Sequence, residues 1–206
     1  MAKYTSESIE TLKFPDLIRK NASMYISATD ENGRWLICRE LLDNALDEFL
    51  ANRNKIAVLF EQPDGSYWVL DGGSGIPQGV KSVTYNVNGK NVTSKMPTMQ
   101  AVFSEMHTSG KYRSEAYAVS VGTHGCGSKS TNATSDFFDV YTCYKGNWYN
   151  IAFEKGILKT PVTKLIKPPK SPNGKLLNRG TAVHFKPDKS IFQGKSEINM
   201  RFAHQW

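Results

Sequence analysis

The chain has 206 residues, 39% hydrophobic and 22% charged, a balance that supports a buried core in water. Its formal net charge of +7 suits an anionic partner such as a nucleotide or DNA. No apolar run approaches the roughly 18 residues of a membrane span, and MAKYTSESIE lacks a signal peptide's apolar stretch. A cytoplasmic protein with no membrane partner is therefore expected. Cys38, Cys126 and Cys143 are scattered without ligand spacing, which argues against zinc and against a disulfide framework.

In chain order, residues 34 to 53 (RWLICRELLDNALDEFLANR) predict a helix with Leu42, Leu46 and Phe49 as its apolar stripe. KIAVLFEQ and SYWVLD predict two strands joined by Pro-Asp-Gly, and the second ends in the glycine-rich turn DGGSGIP, residues 71 to 77. Residues 78 to 95 are polar, carry Asn-Gly pairs, and read as a flexible loop. A helix is expected over 96 to 107, with Pro97 in its first turn. TSGKYRSEAYAVS reads as a loop, SKSTNATSD as a weak helix, and FFDVYTCY with NWYNIAFEKG as a hairpin around Lys145-Gly146. LIKPPKSPNGKLLNRG is a Pro/Lys/Gly-rich connection, and RGTAVHFKPD closes with a strand. Helices and hairpins mix without βαβ alternation, which predicts an α+β sandwich in a single domain over 1–206.

Three motifs carry chemistry. In RELLDNALDE, Glu40, Asn44 and Asp47 fall at i, i+4 and i+7 and share a helix face, with Asp43 beside them. A carboxylate there can polarise a water, and an amide oxygen one turn away can bind Mg²⁺ without adding charge. In VLDGGSGIP, Asp71 ends a strand where glycines expose bare backbone, so its carboxylate can accept from an exocyclic amine such as adenine N6. In VGTHGCGSKS, Gly122, Gly125 and Gly127 free the backbone to turn N–H groups towards a phosphate chain. Each motif has a bland counterpart: the wet side of an amphipathic helix, an Asp-Gly turn, a surface loop. Coincidence explains the three together, in this order, far less well.

This order resembles the Bergerat-type (GHKL) ATPases, and most closely the ATPase domain of gyrase B-type type II DNA topoisomerases. SMYIS (23–27), TSGKY (108–112), YAVSVG (117–122) and RGTAVHFKPD (179–188) extend the match over nearly the whole chain. The resemblance implies a two-layer sandwich with a mixed, mostly antiparallel sheet and helices on one face. It implies ATP and Mg²⁺ as ligands, with Glu40 as general base, Asn44 as metal ligand and Asp47 supporting the helix face. It implies that Asp71 reads adenine with help from Gly75, Ile76 and Thr181, and that Tyr117 touches the adenine edge. Lys111 and the stretch Thr123, His124, Gly125, Cys126 and Gly127 would hold the phosphates, within a lid region at 108–128. Residues 1–14 match a dimerisation arm, in which Tyr4 and Ile9 would reach a second copy of the chain.

For the parent enzyme the resemblance implies duplex DNA, a second copy on ATP binding, and a cleavage subunit or domain as partners. The transducer and cleavage-associated domains lie outside these 206 residues, so a slowly hydrolysing monomer in a bacterial or phage-infected cytoplasm is expected. Other readings are a MutL- or chaperone-like GHKL ATPase, or a nucleotide-binding module without turnover. Departures mark a divergent member, with a phage as one source. Gly72 and Ser74 stand where the family carries an acid and an arginine, Tyr144 stands for a second arginine, and Leu36 for a histidine near the base. The missing turn arginine leaves Asp47 to find another partner. The change at Tyr144 predicts weak coumarin binding.

Overall fold

The computed structural model describes residues 12–87, 89–106, 125–175 and 177–194. Two short helices, α1 (Asp16–Lys20) and α2 (Ala22–Ile26), lead into the long helix α3 (Glu31–Leu50). Strands β1 (Ala57–Glu61), β2 (Tyr67–Asp71), β3 (Val80–Val87) and β4 (Lys90–Pro97) follow, then helices α4 (Thr98–Ser104) and α5 (Gly127–Ala133). The chain continues through β5 (Ser135–Tyr144), β6 (Asn147–Glu154), β7 (Ile157–Lys164) and β8 (Thr181–Pro187). Six strands form one sheet in the order β1-β2-β8-β5-β6-β7, and β3 pairs with β4 separately. Every strand pair among the described residues is antiparallel. This is the α+β class that the motif order implies.

Alternation along the strands decides where the core sits. Tyr67, Val69, Phe138, Val140, Ile151, Phe153, Val183 and Phe185 are buried against Ile37, Cys38 and Leu41 of α3 and Met99 and Phe103 of α4. The intervening residues lie on the other face by the period of two. There Trp68 stacks on His184 at 4.3 Å and on Tyr141 at 5.9 Å between ring centroids.

Helix α3 begins at Asp30, whose carboxylate accepts from the Asn32 and Gly33 N–H groups, a standard N-cap four residues ahead of the start expected from sequence. Its expected apolar stripe is corrected. Leu42 and Leu46 are only half-buried, and Phe49 is 54% exposed. Trp35, Ile37, Cys38, Leu41 and Ala45 are buried instead, together with Arg34, Asp43 and Asp47. The helix packs against α2, α5, β1 and β2 together, so no single stripe could serve it.

Two further expectations change. Residues 78–95, read as a loop, form most of the β3–β4 hairpin, with Val87 opposite Lys90 and Gly89 at a φ of 76° in the turn. Most of β4 is exposed, so the strand carries no alternating apolar signal. Strand β7 was hidden by Pro161; it is an edge strand with a register shift against β6, where a missing N–H is tolerated.

Candidate functional site

Helix α3 carries Glu40, Asn44, Asp47 and Glu48, and it lies beside α5. Helix α5 is short and polar, yet Lys129, Ser130, Thr131 and Asn132 are all buried. Each donates a side-chain hydrogen bond to a backbone carbonyl. Thr131 Oγ1 donates to Ile37 O of α3 at 3.0 Å, and Asn132 Nδ2 donates to Phe103 O of α4 at 3.0 Å. These bonds dock α5 against α3 and α4, and its first residue, Gly127, lies beside Glu40 of α3.

The contact at that seat is tight. A Cβ on Gly127 would collide with Glu40 Oε2, so only glycine lets the half-buried Glu40 carboxylate lie against the end of the VGTHGCG motif. Gly125 has a φ of 62°, and Cys126 is the N-cap residue of α5. Lys129 Nζ donates to Gly125 O at 2.6 Å, and burial lowers its pKa to about 8. Asn44 is exposed, and its Nδ2 donates to Glu40 O at 2.9 Å, which fixes the orientation of its amide. Asp47 is 0% exposed and so does not share the open face with Glu40 and Asn44. Asp43 is buried as well, with Arg39 Nε 3.5 Å from its Oδ2.

The second half of the site is the turn after β2. The Gly73 N–H (2.7 Å) and the Thr181 N–H (3.2 Å) both donate to Asp71 Oδ1. Oδ2 receives no hydrogen bond from the described residues, which leaves it able to accept one. Burial raises the Asp71 pKa to about 6, against the lowering effect of those two N–H donors. Glu48 also raises it, and Arg179 lowers it.

The rest of the turn is held group by group. The Gly72 N–H donates to Asn54 Oδ1 at 2.9 Å, the Ser74 N–H to Glu48 Oε2 at 3.0 Å, and the Ile76 N–H to Thr142 Oγ1 at 2.8 Å. Thr142 Oγ1 lies 3.2 Å from Thr181 Oγ1, its neighbour across the β5–β8 register. Gly75 has a φ of 74° and passes so close to Cys143 O that a Cβ would overlap it. From the outside, Arg179 Nη2 donates to Gly73 O at 3.3 Å and to Arg53 O at 3.2 Å.

The structure thus assembles Glu40 with Gly125, Cys126 and Gly127, and Asp71 with Gly75, Ile76 and Thr181. Lys111, Tyr117, Thr123, His124, Tyr4 and Ile9 lie outside the described residues. Asn54, Thr142, Glu48, Arg53, Arg179 and Lys129 were not foreseen. Three of them had a signal: Glu48 follows Asp47 in the acidic helix, Lys129 lies in VGTHGCGSKS, and Arg179 opens RGTAVHFKPD.

No protein-family model matches the chain. The B-type subunit of DNA topoisomerase 4 from Staphylococcus epidermidis is 33% identical over 196 residues, covering 95% of this chain and 27% of that protein. Its Staphylococcus aureus counterpart is 34% identical over 197 residues, with the same coverage. The 43K ATPase domain of Thermus thermophilus gyrase B, solved in complex with an aminocoumarin, superposes with a TM-score of 0.65 at 27% identity. That match covers 92% of this chain and 43% of the solved one.

The chain belongs to the gyrase B-type ATPase domains. It spans about a quarter of the length of the topoisomerase subunits it matches. Within the gyrase B-type family its departures become concrete. Ser74 and Gly72 carry no charge into the turn, and Glu48 Oε2 accepts the Ser74 N–H. Arg53, from just beyond the end of α3, is the cation that pairs with Glu48.

Proposed function

We propose that the chain binds ATP with Mg²⁺ and hydrolyses it, as the nucleotide-driven domain of a type II DNA topoisomerase. The observation that carries this is the Asp71 carboxylate, with Oδ1 fixed by two backbone N–H groups and Oδ2 left to accept a further hydrogen bond. Such a carboxylate recognises an exocyclic amine with a charge-assisted hydrogen bond. Close to Asp71, the strictly positioned Gly75 and Thr181 would admit a flat ring against backbone.

In this reading Glu40 takes the proton from the water that attacks the γ-phosphate, and its contact with Gly127 keeps it at the end of the phosphate loop. Gly125, Cys126 and Gly127 would turn N–H groups to the phosphates, joined by Thr123, His124 and Lys111 as the family resemblance implies. The hard oxygen donor of Asn44 fits Mg²⁺, and the tether of Asn44 Nδ2 to Glu40 O commits the amide oxygen to the other direction. Bound there, Mg²⁺ would neutralise charge on the phosphates. Asp47 acts from behind as a buried support, and Tyr117 would close the adenine edge.

For the whole protein, ATP binding would bring two such domains together through the arm containing Tyr4 and Ile9. That closure would gate passage of a DNA duplex, in concert with a cleavage subunit or domain in the cytoplasm. Hydrolysis by Glu40→Gln tests the assignment. It should fall by about a hundredfold or more while the affinity for a non-hydrolysable ATP analogue stays within about threefold. Unchanged hydrolysis would remove Glu40 from the role of base.

A further inference from the structure

From Lys155 to Pro187 the sequence contains seven lysines and one arginine and no aspartate or glutamate. Neighbouring elements neutralise part of this charge. Lys159 pairs with Glu154 at 2.9 Å, Lys186 with Asp64 at 3.5 Å, and Lys155 lies 3.8 Å from both Asp136 and Asp188. Arg179 is spent on the carbonyls of Arg53 and Gly73. Lys164, Lys167, Lys170 and Lys175 are different. All four are exposed, and none forms an ion pair with a described residue.

They lie at the end of β7 and on the segment that follows it. Strand β7 is the edge of the six-stranded sheet, so no further strand covers this side among the described residues. Lysines on an edge strand commonly block sheet-to-sheet association. That explanation reaches Lys159 and Lys164 but not Lys167, Lys170 and Lys175, which lie beyond the strand. The three-residue spacing of Lys164, Lys167 and Lys170 places successive ammonium stems at most about 10 Å apart along extended chain. Flexible lysine stems can adjust that interval to the phosphates of a duplex.

We propose that Lys164, Lys167, Lys170 and Lys175 form a contact surface for the phosphate backbone of duplex DNA. The site is distinct from the nucleotide site and reads charge, not sequence. The choice of DNA as the polyanion rests on the topoisomerase reading. Membrane lipid is the weaker occupant: Ile166, fully exposed, is the one apolar side chain that projects among these four lysines.

The test is fluorescence anisotropy with a labelled duplex of random sequence, across a salt series, using the 206-residue chain. The wild type should lose affinity about a hundredfold between about 50 and 200 mM salt, as about four phosphate contacts require. Changing the four lysines to Gln should weaken binding at least about tenfold and flatten the salt slope by about three. The four Lys→Arg changes should retain it. Changing Lys13, Lys55, Lys90 and Lys95 to Gln, an equal loss of charge elsewhere, should have little effect. An equal loss in that control, an unaffected patch variant, or no binding by wild type would overturn the proposal. So would capture by phosphatidylserine vesicles that DNA does not displace. Titration of the patch variant with an ATP analogue, expected to match wild type, separates a failure here from a failure of the nucleotide reading.

Discussion

Glu48 and Arg53 form a two-pronged ion pair, with Arg53 Nη2 3.0 Å from Oε1 and Nε 3.2 Å from Oε2. The same Oε2 accepts the Ser74 N–H, so the pair fastens the turn after β2 to the end of α3. The cation that the turn itself lacks at Ser74 is supplied from five residues along the same chain segment as the acid. Arg179 adds a second cation from the segment before β8, bridging the Arg53 and Gly73 carbonyls.

Breaking this fastening should loosen the turn without removing a ligand contact. Arg53→Ala is expected to weaken binding of a non-hydrolysable ATP analogue about fivefold, the factor that about 1 kcal/mol produces. A double-mutant cycle with Glu48→Gln should show the two losses to be non-additive. Additive losses would mean that Arg53 acts on the turn independently of Glu48.

Asp71 should destabilise the ligand-free protein. Its folded pKa of about 6 lies above the 3.8 of an ordinary aspartate, so the folded state holds its proton more tightly. The penalty is absent below about pH 4, grows as pH rises, and is complete above about pH 6. Ligand-free Asp71→Asn should therefore melt higher than wild type at pH 7, by at most about 3 kcal/mol, with the gap closing in acid. Thermal unfolding across about pH 4 to 7 measures this.

Lys129 shows the same sign of cost through the opposite charge. Burial holds its pKa at about 8 against 10.5 for an ordinary lysine, so the unfolded chain binds the proton more tightly. The penalty is complete below about pH 8 and is relieved as pH rises towards about 10.5. Lys129→Met should stabilise the protein at pH 7, offset in part by the lost bond to Gly125 O, and the difference should shrink in alkali. Chemical denaturation at about pH 7 and about pH 10 compares the two.

What the sequence made legible, and what it hid, follows from distance along the chain. RELLDNALDE could be read because a helix brings i, i+4 and i+7 together without outside help, and DGGSGIP because glycine marks a turn. Helical spacing puts Asp47 on the side of Glu40 and Asn44 but does not say how many sides a helix buries, and Asp47 is 0% exposed. The threonine pair Thr142 and Thr181 joins residues 39 apart, and Arg179 reaches residues 106 and 126 positions away, so no local pattern announces them. The burial of the polar helix α5 was equally silent. Its Ser, Thr and Asn side chains read as solvent-facing until their backbone partners on α3 and α4 are known.

Aminocoumarin affinity should report the altered charges at the site. The Thermus thermophilus domain was solved with such a compound. Here Ser74 and Tyr144 offer no guanidinium at the two positions where the family carries arginine, so a dissociation constant weaker than micromolar is expected for novobiocin. Ser74→Arg with Tyr144→Arg should tighten it, and calorimetry checks both. Submicromolar binding by wild type would contradict the expectation.

The most direct test of the nucleotide site is calorimetric titration of the chain with a non-hydrolysable ATP analogue and Mg²⁺, comparing wild type with Asp71→Asn. Wild type should show saturable, one-to-one binding that the substitution abolishes, while the variant remains folded. Binding of equal strength in the two proteins, or none in wild type, would contradict the assignment of Asp71 as the group that reads adenine.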